Sequence, residues 1–232
     1  MNLIGISGKA GSGKDTTGEI IQKLCLSNKG PQFEIKKFAG KLKQTASLLT
    51  GIPIEKFEDQ EFKKTILGSE WGKPTKQNPL NAIEPFKDIT FVEMMSVRDL
   101  LQKLGTEAMR NGLHENTWVN ALFADYEEKF ANKGIGGFHD PITYKRSLGF
   151  PNWIITDVRF PNEFKAIKEK GGIVIRVNRP GHSNSMKELA EAHPSETALD
   201  GHDFDYVIEN DGNLEKLIDK VKKILLTENI IK

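Results

Sequence analysis

The chain has 232 residues, 38% of them hydrophobic, and 33 basic residues nearly balance 32 acidic ones, for a formal net charge of +1. This length suits one domain of ordinary size, or one domain with an insertion. The balanced charge argues against nucleic-acid binding as the main role. Cys25 is the only cysteine, which excludes an intrachain disulfide, and no apolar stretch is long enough to span a membrane. We therefore expect a cytoplasmic protein with no membrane partner and no direct nucleic-acid partner.

The first elements follow an α/β order. Residues 3–6 form a short apolar run that predicts a buried strand, and a helical pattern covers residues 14–26 after a glycine-rich loop. A second strand is predicted at 33–38, followed by a helix at 39–50. The predicted inward residues of that helix are Leu42, Ala46 and Leu49.

The middle of the chain has a different pattern. Residues 51–95 contain four prolines and no long periodic element. A helix is predicted to start at Ser96, because Ser96 and Asp99 resemble a capping box ahead of an apolar stripe. Another helix is predicted over residues 117–130, and the glycine-rich stretch 134–149 is predicted to be a loop.

The α/β order returns at Trp153. Strands are predicted at 153–157, 173–177 and 206–208, with helices at 161–170 and 212–226. The predicted inward residues of the last helix are Leu214, Leu217, Ile218, Val221 and Leu225. Alternating strands and helices imply a mostly parallel sheet with helices on both faces. The helical block beginning at residue 39 interrupts this order and is predicted to be an insertion beside the sheet.

The loop after the first strand matches a phosphate-binding motif. Gly8-x-x-x-x-Gly13-Lys14 has a strand before it and a helix after it, as a Walker A loop requires. In such a loop the backbone N–H groups surround a phosphate and the lysine bridges the terminal phosphates of the donor. The alternative is a glycine-rich turn that binds nothing. The predicted phosphate-binding residues are Gly8, Lys9, Ala10, Gly11, Ser12, Gly13 and Lys14.

One position departs from the usual motif. The Ser or Thr that normally follows the lysine and ligates Mg²⁺ is replaced by Asp15, and Thr16 comes next. Adenylate kinase and its relatives are similar in this respect. Asp15 is therefore predicted to hold Mg²⁺ through water and Thr16 to meet the α-phosphate, which favours a small-molecule kinase over a GTPase or a motor.

A second acidic residue ends the strand that begins at Trp153. Asp157 lies where a Walker-B-like carboxylate should lie, at the carboxyl edge of the sheet, and is a candidate Mg²⁺ ligand. Its alternative is a turn-initiating aspartate ahead of Pro161. Arg159 would project from the same edge toward anionic ligands, or it is an ordinary solvated arginine.

The helix from Ser96 carries candidate acceptor-binding residues. On a regular helix Arg98, Gln102 and Gly105 share one face, with Arg110 at least one turn further on. A guanidinium suits a phosphate, an amide suits a base edge, and a glycine permits close approach of a ligand. The alternative is a solvated helix face.

Three further residues are candidates for the acceptor site. Lys41 and Lys43 lie near a predicted helix start, where they would bind the acceptor phosphate or would simply be surface lysines. Trp118 would stack on a base or, alternatively, would belong to the core.

These motifs together resemble those of the bacteriophage deoxynucleoside monophosphate kinases. The resemblance rests on the loop sequence GKAGSGKDTT, on SVRDLLQKLGTE starting at Ser96, and on Asp157-Val158-Arg159. It also includes VNRPG starting at Val177 and VIENDG starting at Val207. The motifs occur in matching order over nearly the whole chain, and residues 51–95 and 132–150 resemble the family least.

The resemblance implies a P-loop NTPase fold of three α/β/α layers with a five-stranded parallel sheet. The core would comprise about 1–38 and 151–232, the helical acceptor-binding insertion about 39–150, and the lid about 179–203. Arg179 would close over the moving phosphoryl group, and Thr106 would join the acceptor surface. Asn210 and Gly212 would lie near the adenine of the donor.

The implied activity is the ATP- and Mg²⁺-dependent conversion of deoxynucleoside monophosphates (dNMP) to diphosphates for DNA precursor synthesis, in a host cytoplasm if the chain is viral. The implied catalytic residues are Lys14, Arg98, Asp157, Arg159 and Arg179.

Two other functions stay open from the sequence. One is another small-acceptor P-loop kinase, similar to dephospho-coenzyme A kinase, and the other is an ATP-binding regulatory module without transfer activity. The sequence also leaves open the oligomeric state, with a homodimer as one alternative, the accepted bases and the role of Glu196. His182 and His193 are predicted to be solvated rather than metal ligands.

Overall fold

The computed structural model describes residues 2–75, 91–135, 142–180 and 197–232. The strands in these ranges are β1 (Leu3–Ser7), β2 (Glu34–Lys36), β3 (Lys73–Thr75), β4 (Phe91–Glu93), β5 (Lys129–Ile135), β6 (Ile142–Gly149), β7 (Trp153–Val158), β8 (Ile173–Asn178) and β9 (Tyr206–Glu209). The α-helices are α1 (Lys14–Ser27), α2 (Phe38–Thr50), α3 (Val97–Gln102), α4 (Thr117–Phe123), α5 (Pro161–Glu169) and α6 (Leu214–Thr227). A π-helix, Lys103–Leu113, follows α3 directly.

The chain divides into two compact units. The first, called the sheet unit, comprises Met1–Ala39 and Trp118–Lys232, and the second, called the insertion unit, comprises Gly40–Thr117. The insertion unit is shorter than the predicted 39–150. The reason is that residues on and after α4 belong to the core of the sheet unit, where Val119, Leu122 and Tyr126 cluster with Trp153.

The sheet unit contains a five-stranded sheet in the order β2-β7-β1-β8-β9, with every pairing parallel. All five residues of β1 are buried, because β1 lies at the centre of the sheet. A strand covered on both faces is apolar throughout, as Leu3, Ile4 and Ile6 are. This parallel sheet confirms the predicted α/β P-loop architecture.

Helices cover both faces of this sheet. On one face, α1 and α6 bury Ile21, Leu217 and Val221 against Ile175. On the other face, Ile167 of α5 packs in a second cluster with the residues of α4. Full burial of one such side chain stabilises the fold by about 1.5–3 kcal/mol. The two clusters therefore hold the helices against the sheet whose carboxyl edge carries the motifs.

The insertion unit has a small core of its own. Ala46, Phe57, Leu67, Val97 and Leu100 are buried together. Between α2 and α3, the described residues 51–75 and 91–96 contain three 3₁₀ turns and the antiparallel pair β3–β4, consistent with the lack of a long periodic element in this region.

The predicted capping box starts α3. Ser96 Oγ accepts from Asp99 N at 3.1 Å, and Asp99 Oδ2 accepts from Ser96 N at 2.9 Å.

Several predictions of local structure are wrong. In the stretch 134–149 that was predicted to be a loop, residues 134–135 and 142–149 are strand residues, because β5 and β6 pair in antiparallel register from Phe130↔Ser147 to Ile135↔Ile142. The helix predicted over 117–130 ends at Phe123, and the last two residues of that range, Lys129 and Phe130, belong to β5. Pairing between strands supplies the hydrogen bonds that the glycine-rich sequence does not indicate.

Two residues that were predicted to be inward are exposed. Leu49 is 54% exposed and Leu214 is 56% exposed, and each lies at the end of its helix, beyond the packed stretch. Within the described ranges, no helix combines the length and apolar character needed to cross a membrane. His182, His193, Glu196 and the central part of the predicted lid lie outside the described residues.

Candidate active site

The phosphate loop lies between the end of β1 and the start of α1. A side chain cannot fit at Gly8, because its Cβ would lie 2.4 Å from the carbonyl oxygen of Val177. Gly13 has a φ of 100°, a left-handed conformation that favours glycine, and its Cβ would lie 2.8 Å from Asn210 Nδ2. The two glycines at the ends of the motif are therefore required by close packing and by backbone conformation.

Lys14 folds back over the loop. Its Nζ donates to the carbonyl oxygens of Gly8 at 2.6 Å and Lys9 at 2.7 Å, and the residue is only 9% exposed. The ammonium group is thus held at the centre of the loop, beside the N-terminus of α1. Both groups favour an anion at this position.

Ser12 has a buried hydroxyl group without a partner. The residue is 3% exposed, and its Oγ forms no hydrogen bond with any described residue. A buried hydroxyl is normally satisfied, so this donor suits a ligand with acceptor oxygens. Together with the Lys14 ammonium and the glycine backbone, it fits a phosphate group.

Asp15 is held by two neighbours. Its Oδ1 accepts from Thr156 Oγ1 at 2.7 Å and pairs with Lys37 Nζ at 3.0 Å. Burial opposes ionisation of this carboxyl group, but the Thr156 hydrogen bond and Lys37 outweigh it, and the pKa of Asp15 lies below its ordinary value. Asp15 is therefore a carboxylate at neutral pH. Thr16 is exposed beside it.

Asp157 binds the first turn of α2. Its two carboxylate oxygens accept from Phe38 N at 2.8 Å and Ala39 N at 2.9 Å. Burial raises the pKa of Asp157, although these two hydrogen bonds and the charge of Arg159 oppose the rise. Asp157 thus holds the start of a helix, a contact that the strand-end position did not predict.

The neighbouring Arg159 has its backbone fixed by a buried acid. Arg159 N donates to Glu163 Oε2 at 2.8 Å, and Glu163 is 2% exposed. Asp157 and Arg159 both lie at the carboxyl edge of β7, where the sequence placed them.

Arg179 reaches the phosphate loop from the end of β8. Its Nη1 lies 3.4 Å from the carbonyl oxygen of Gly11. The guanidinium group is exposed on this side of the loop. This position is compatible with a contact to a phosphate bound there.

The residues predicted near the donor base have a defined position. Asn210 Nδ2 donates to Ser12 O at 2.9 Å, and Asn210 N donates to Asn178 O at 2.6 Å. Asn210 therefore fastens the phosphate loop to the carboxyl edge of the sheet. Gly212 lies two residues further on and is exposed ahead of α6.

A cavity of about 520 Å³ opens beside the phosphate loop, entirely within the sheet unit. This volume lies in the range of small-molecule sites. The lining consists of Lys9, Ala10, Ser12, residues 176–180 and 199–202, Phe204, Val207 and Glu209.

In the insertion unit, the structure gives the candidate residues different environments. Arg98 and Gln102 are exposed, near the start and at the end of α3, whereas Thr106 and Arg110 are half-buried in the π-helix. Segments of π-helix occur frequently at functional sites. Gly105 is buried, and a Cβ there would lie 2.9 Å from Leu42 Cδ2, so the glycine allows close packing of the π-helix on α2, while its role at the acceptor site stays a prediction.

The two lysines of α2 also differ. Lys43 is buried and its Nζ pairs with Glu58 Oε1 at 2.5 Å, whereas Lys41 is half-exposed. In the sheet unit, Trp118 is 6% exposed, as a core aromatic would be.

Two residues beside the phosphate loop were not predicted from the sequence. Lys37, the partner of Asp15, is one of four lysines between residues 36 and 43, and nothing in the sequence distinguishes it from the others. Arg176 interrupts the apolar strand β8, and 9% exposure makes it a buried cation. A lone arginine in an otherwise apolar buried strand was the available signal for it.

Comparison with known proteins agrees with this geometry. A family model for deoxynucleotide monophosphate kinase matches residues 54–221. The chain is 27% identical to the deoxynucleotide monophosphate kinase of Enterobacteria phage T4, covering 97% of this chain and 99% of that protein. It is 25% identical to the enzyme of the same name from Escherichia phage RB69, covering 97% and 100%. It is 26% identical to the deoxynucleoside-5'-monophosphate kinase of Escherichia phage T5, covering 85% and 84%.

The parallel sheet and the loop behind its central strand define a P-loop nucleotide-binding protein. Within that class, the chain belongs to the deoxynucleotide monophosphate kinase family, which confirms the resemblance seen in the sequence.

Proposed function

We propose that this chain is a kinase that transfers the γ-phosphoryl group of ATP to deoxynucleoside monophosphates. The proposal rests on the presence of a phosphate loop in a chain that belongs to the deoxynucleotide monophosphate kinase family. In that loop the Lys14 ammonium lies on the Gly8 and Lys9 carbonyls, and the buried Ser12 hydroxyl has no described partner.

The donor phosphates bind at the loop. Lys14 leaves the loop carbonyls for the β- and γ-phosphates, Ser12 Oγ and the loop N–H groups donate to them, and Thr16 meets the α-phosphate. The adjacent cavity has room for the donor nucleoside. Arg179, already within 3.4 Å of Gly11 O, adds positive charge where the phosphoryl group moves.

Mg²⁺ fits this site as an ion held mainly by the nucleotide. Asp15 lies in the first turn of α1 and Asp157 near the carboxyl end of β7, and their oxygens already accept hydrogen bonds from Thr156, Phe38 and Ala39. The two carboxylates would therefore hold the ion through its waters. When bound, Mg²⁺ neutralises phosphate charge.

The acceptor monophosphate binds to the insertion unit. Arg98 carries an exposed guanidinium suited to its phosphate, and Gln102 one turn later carries an amide suited to a base edge. Lys41, Thr106 and Arg110 are further candidates. Lys43 is the weakest of the set, because its ammonium is already paired with Glu58.

The chemistry requires little from individual side chains beyond position and charge. The acceptor is already an anionic phosphate, so no dedicated general base is needed. Lys14, the loop N–H groups and Arg179 hold the donor phosphates and stabilise the charge that spreads over the moving phosphoryl group. Exclusion of water is needed as well, because water would otherwise accept the phosphoryl group.

A panel of acceptors tests this proposal. The purified chain is incubated with ATP, Mg²⁺ and each of the four dNMPs and four ribonucleoside monophosphates, with dephospho-coenzyme A as a further acceptor. Separation of nucleotides by ion-exchange chromatography then identifies the products. We expect a diphosphate product with at least one dNMP and stoichiometric ADP.

The other outcomes are decisive too. A product from dephospho-coenzyme A alone would assign the chain to another small-acceptor kinase. Binding of ATP without transfer to any acceptor would indicate a regulatory module, and either result would refute the proposal.

A further inference from the structure

Arg176 is a cation in an unusual position. It lies on β8, whose first five residues are all buried, and its own exposure is 9%. Burying a guanidinium group costs free energy unless its N–H groups form hydrogen bonds, so each hydrogen bond of Arg176 offsets part of that cost.

One group of contacts reaches the start of the phosphate loop. Arg176 and Ser7 are partners in the register between β8 and β1, and Arg176 Nη1 donates to Ser7 Oγ at 3.2 Å. Its Nε donates to Asn178 Oδ1 at 3.3 Å on the same strand. Ser7 is the residue immediately before Gly8, so this hydrogen bond fixes the point at which the loop leaves the sheet.

A second group of contacts reaches the loop through Asp200. Arg176 Nη2 donates to Asp200 Oδ1 at 2.7 Å, and Asp200 Oδ2 lies 3.6 Å from Lys9 Nζ. The carbonyl of Lys9 in turn accepts from Lys14 Nζ at 2.7 Å. Asp200 therefore links the buried guanidinium to the loop residue that holds the phosphate-binding lysine.

The segment that carries Asp200 is itself anchored. Leu199 is 2% exposed in the core of the sheet unit, and the Arg176 guanidinium carbon lies 5.5 Å from the centre of the Phe204 ring. Arg176, Asp200 and Phe204 all line the cavity beside the loop. The network thus rests on a packed segment and lines the cavity of the proposed donor site.

We propose that Arg176 is a positioning residue for the donor nucleotide, acting through Ser7 and through the Asp200–Lys9 pair on the phosphate loop. The inference rests on the proposed function, because it assigns a role within that donor site. A guanidinium is needed since its fork of donors reaches Ser7, Asn178 and Asp200 together, which a lysine ammonium cannot do in one plane. Its loss should weaken ATP binding and leave acceptor binding unchanged.

The test compares Arg176→Met, Asp200→Asn and the double variant with the natural chain. The dissociation constant of a non-hydrolysable ATP analogue is measured by isothermal titration calorimetry, and KM for ATP and for a dNMP are measured separately. For Arg176→Met we expect about a tenfold rise in the ATP constants, with KM for the dNMP unchanged within about twofold. For Asp200→Asn we expect about a threefold to tenfold rise. The double variant should be no weaker than Arg176→Met, because both changes remove one connected network.

Lys165→Gln is the matched control. It removes a cation from an exposed pair with Glu169, outside the cavity, and should leave every constant unchanged. A folded Arg176→Met protein that binds the analogue as tightly as the natural chain would overturn the inference. If that variant does not fold, Asp200→Asn decides, since Asp200 is 43% exposed and tolerates substitution: unchanged ATP binding would then refute the network.

The analogue also separates this inference from the proposed function. If the natural chain phosphorylates no dNMP, the proposed function fails. Weaker analogue binding by Arg176→Met would still support the positioning role in that case.

Discussion

In the phosphate loop many of the proposed phosphate contacts come from backbone N–H groups, and side chains such as Asn210 hold that backbone in place. In the insertion unit the candidate binding groups are instead the exposed side chains of Arg98 and Gln102, carried by a short helix with a small core beneath it. A site made of backbone requires a fixed sequence pattern, whereas a site made of side chains can change partners by substitution. The first kind is therefore recognisable in a single sequence, and the second is a surface whose specificity can vary.

The sharpest test of the loop is Lys14→Ala. This change removes the ammonium that Gly8 O and Lys9 O hold at the loop centre. We expect kcat/KM to fall by about 10³-fold or more, because stabilisation of transferring charge is the main catalytic term. A coupled ADP assay measures turnover and circular dichroism checks the fold. Lys23→Ala, an exposed lysine on the same helix, should be neutral, and comparable activity in the two variants would exclude Lys14 from the reaction.

Gly8→Ala tests whether the backbone itself is the binding surface. The added Cβ would lie 2.4 Å from Val177 O, so the loop must move away from β8. We expect ATP-analogue affinity to fall by about tenfold to a hundredfold, with destabilisation of about 1–3 kcal/mol from the overpacking. Calorimetry and urea unfolding measure the two effects. Gly171→Ala, outside the cavity, is a useful comparison because no atom lies within 4 Å of its added Cβ, although its φ of 73° is strained for alanine. If Gly8→Ala bound the analogue with normal affinity, the conformation of the loop backbone would not determine the affinity for the donor.

Arg98→Ala tests the side-chain site. Loss of a charged hydrogen bond to the acceptor phosphate should raise KM for the dNMP by about 10- to 100-fold, with ATP affinity little changed. Steady-state kinetics with each substrate varied in turn provides the measurement. Lys64→Ala removes an exposed positive charge from the same unit and is the control. A fall in ATP affinity instead would place Arg98 at the donor side and contradict the division between the two regions.

The smallest expected effect concerns the helix that carries Arg98. Hydrogen bonds with Ser96 hold the pKa of Asp99 below its ordinary value. The stability that Asp99 contributes is therefore present above the unfolded carboxyl pKa and is lost as pH falls through the lower, folded value. Asp99→Asn should lower the free energy of unfolding by about 0.5–1 kcal/mol at pH 7. It should have no effect at a pH at which Asp99 is protonated in both the folded and the unfolded state.

Urea unfolding at pH 7 and near pH 3 tests this dependence. Asp59 accepts hydrogen bonds from Glu61 N and Phe62 N elsewhere in the insertion unit, so Asp59→Asn provides a second carboxylate for comparison. A cost for Asp99→Asn that did not change with pH would show that its charge is not involved.

The same contrast explains what the sequence could predict. The parallel sheet and the loop were predictable because burial imposes an apolar strand and phosphate binding imposes glycines at Gly8 and Gly13. Two contacts were not predictable, because they depend on which residues of distant elements meet: the packing of Gly105 on Leu42 and the pairing of Lys43 with Glu58. Strands β5 and β6 were missed for a related reason, since pairing rather than local preference forms them. Asp157 was placed correctly at the sheet edge, yet its hydrogen bonds to Phe38 and Ala39 depend on where α2 begins in space.

The strand order has a consequence for how the chain folds during synthesis. The first 150 residues contain β1 and β2, but these two strands are not neighbours, because β7 lies between them. A growing chain therefore cannot start the central sheet until Trp153–Val158 has left the ribosome. The phosphate loop is complete only after Asn210 emerges, since that side chain fastens Ser12. The insertion unit is built from contacts within Gly40–Thr117, so it can fold before the central sheet, three of whose strands follow it in sequence.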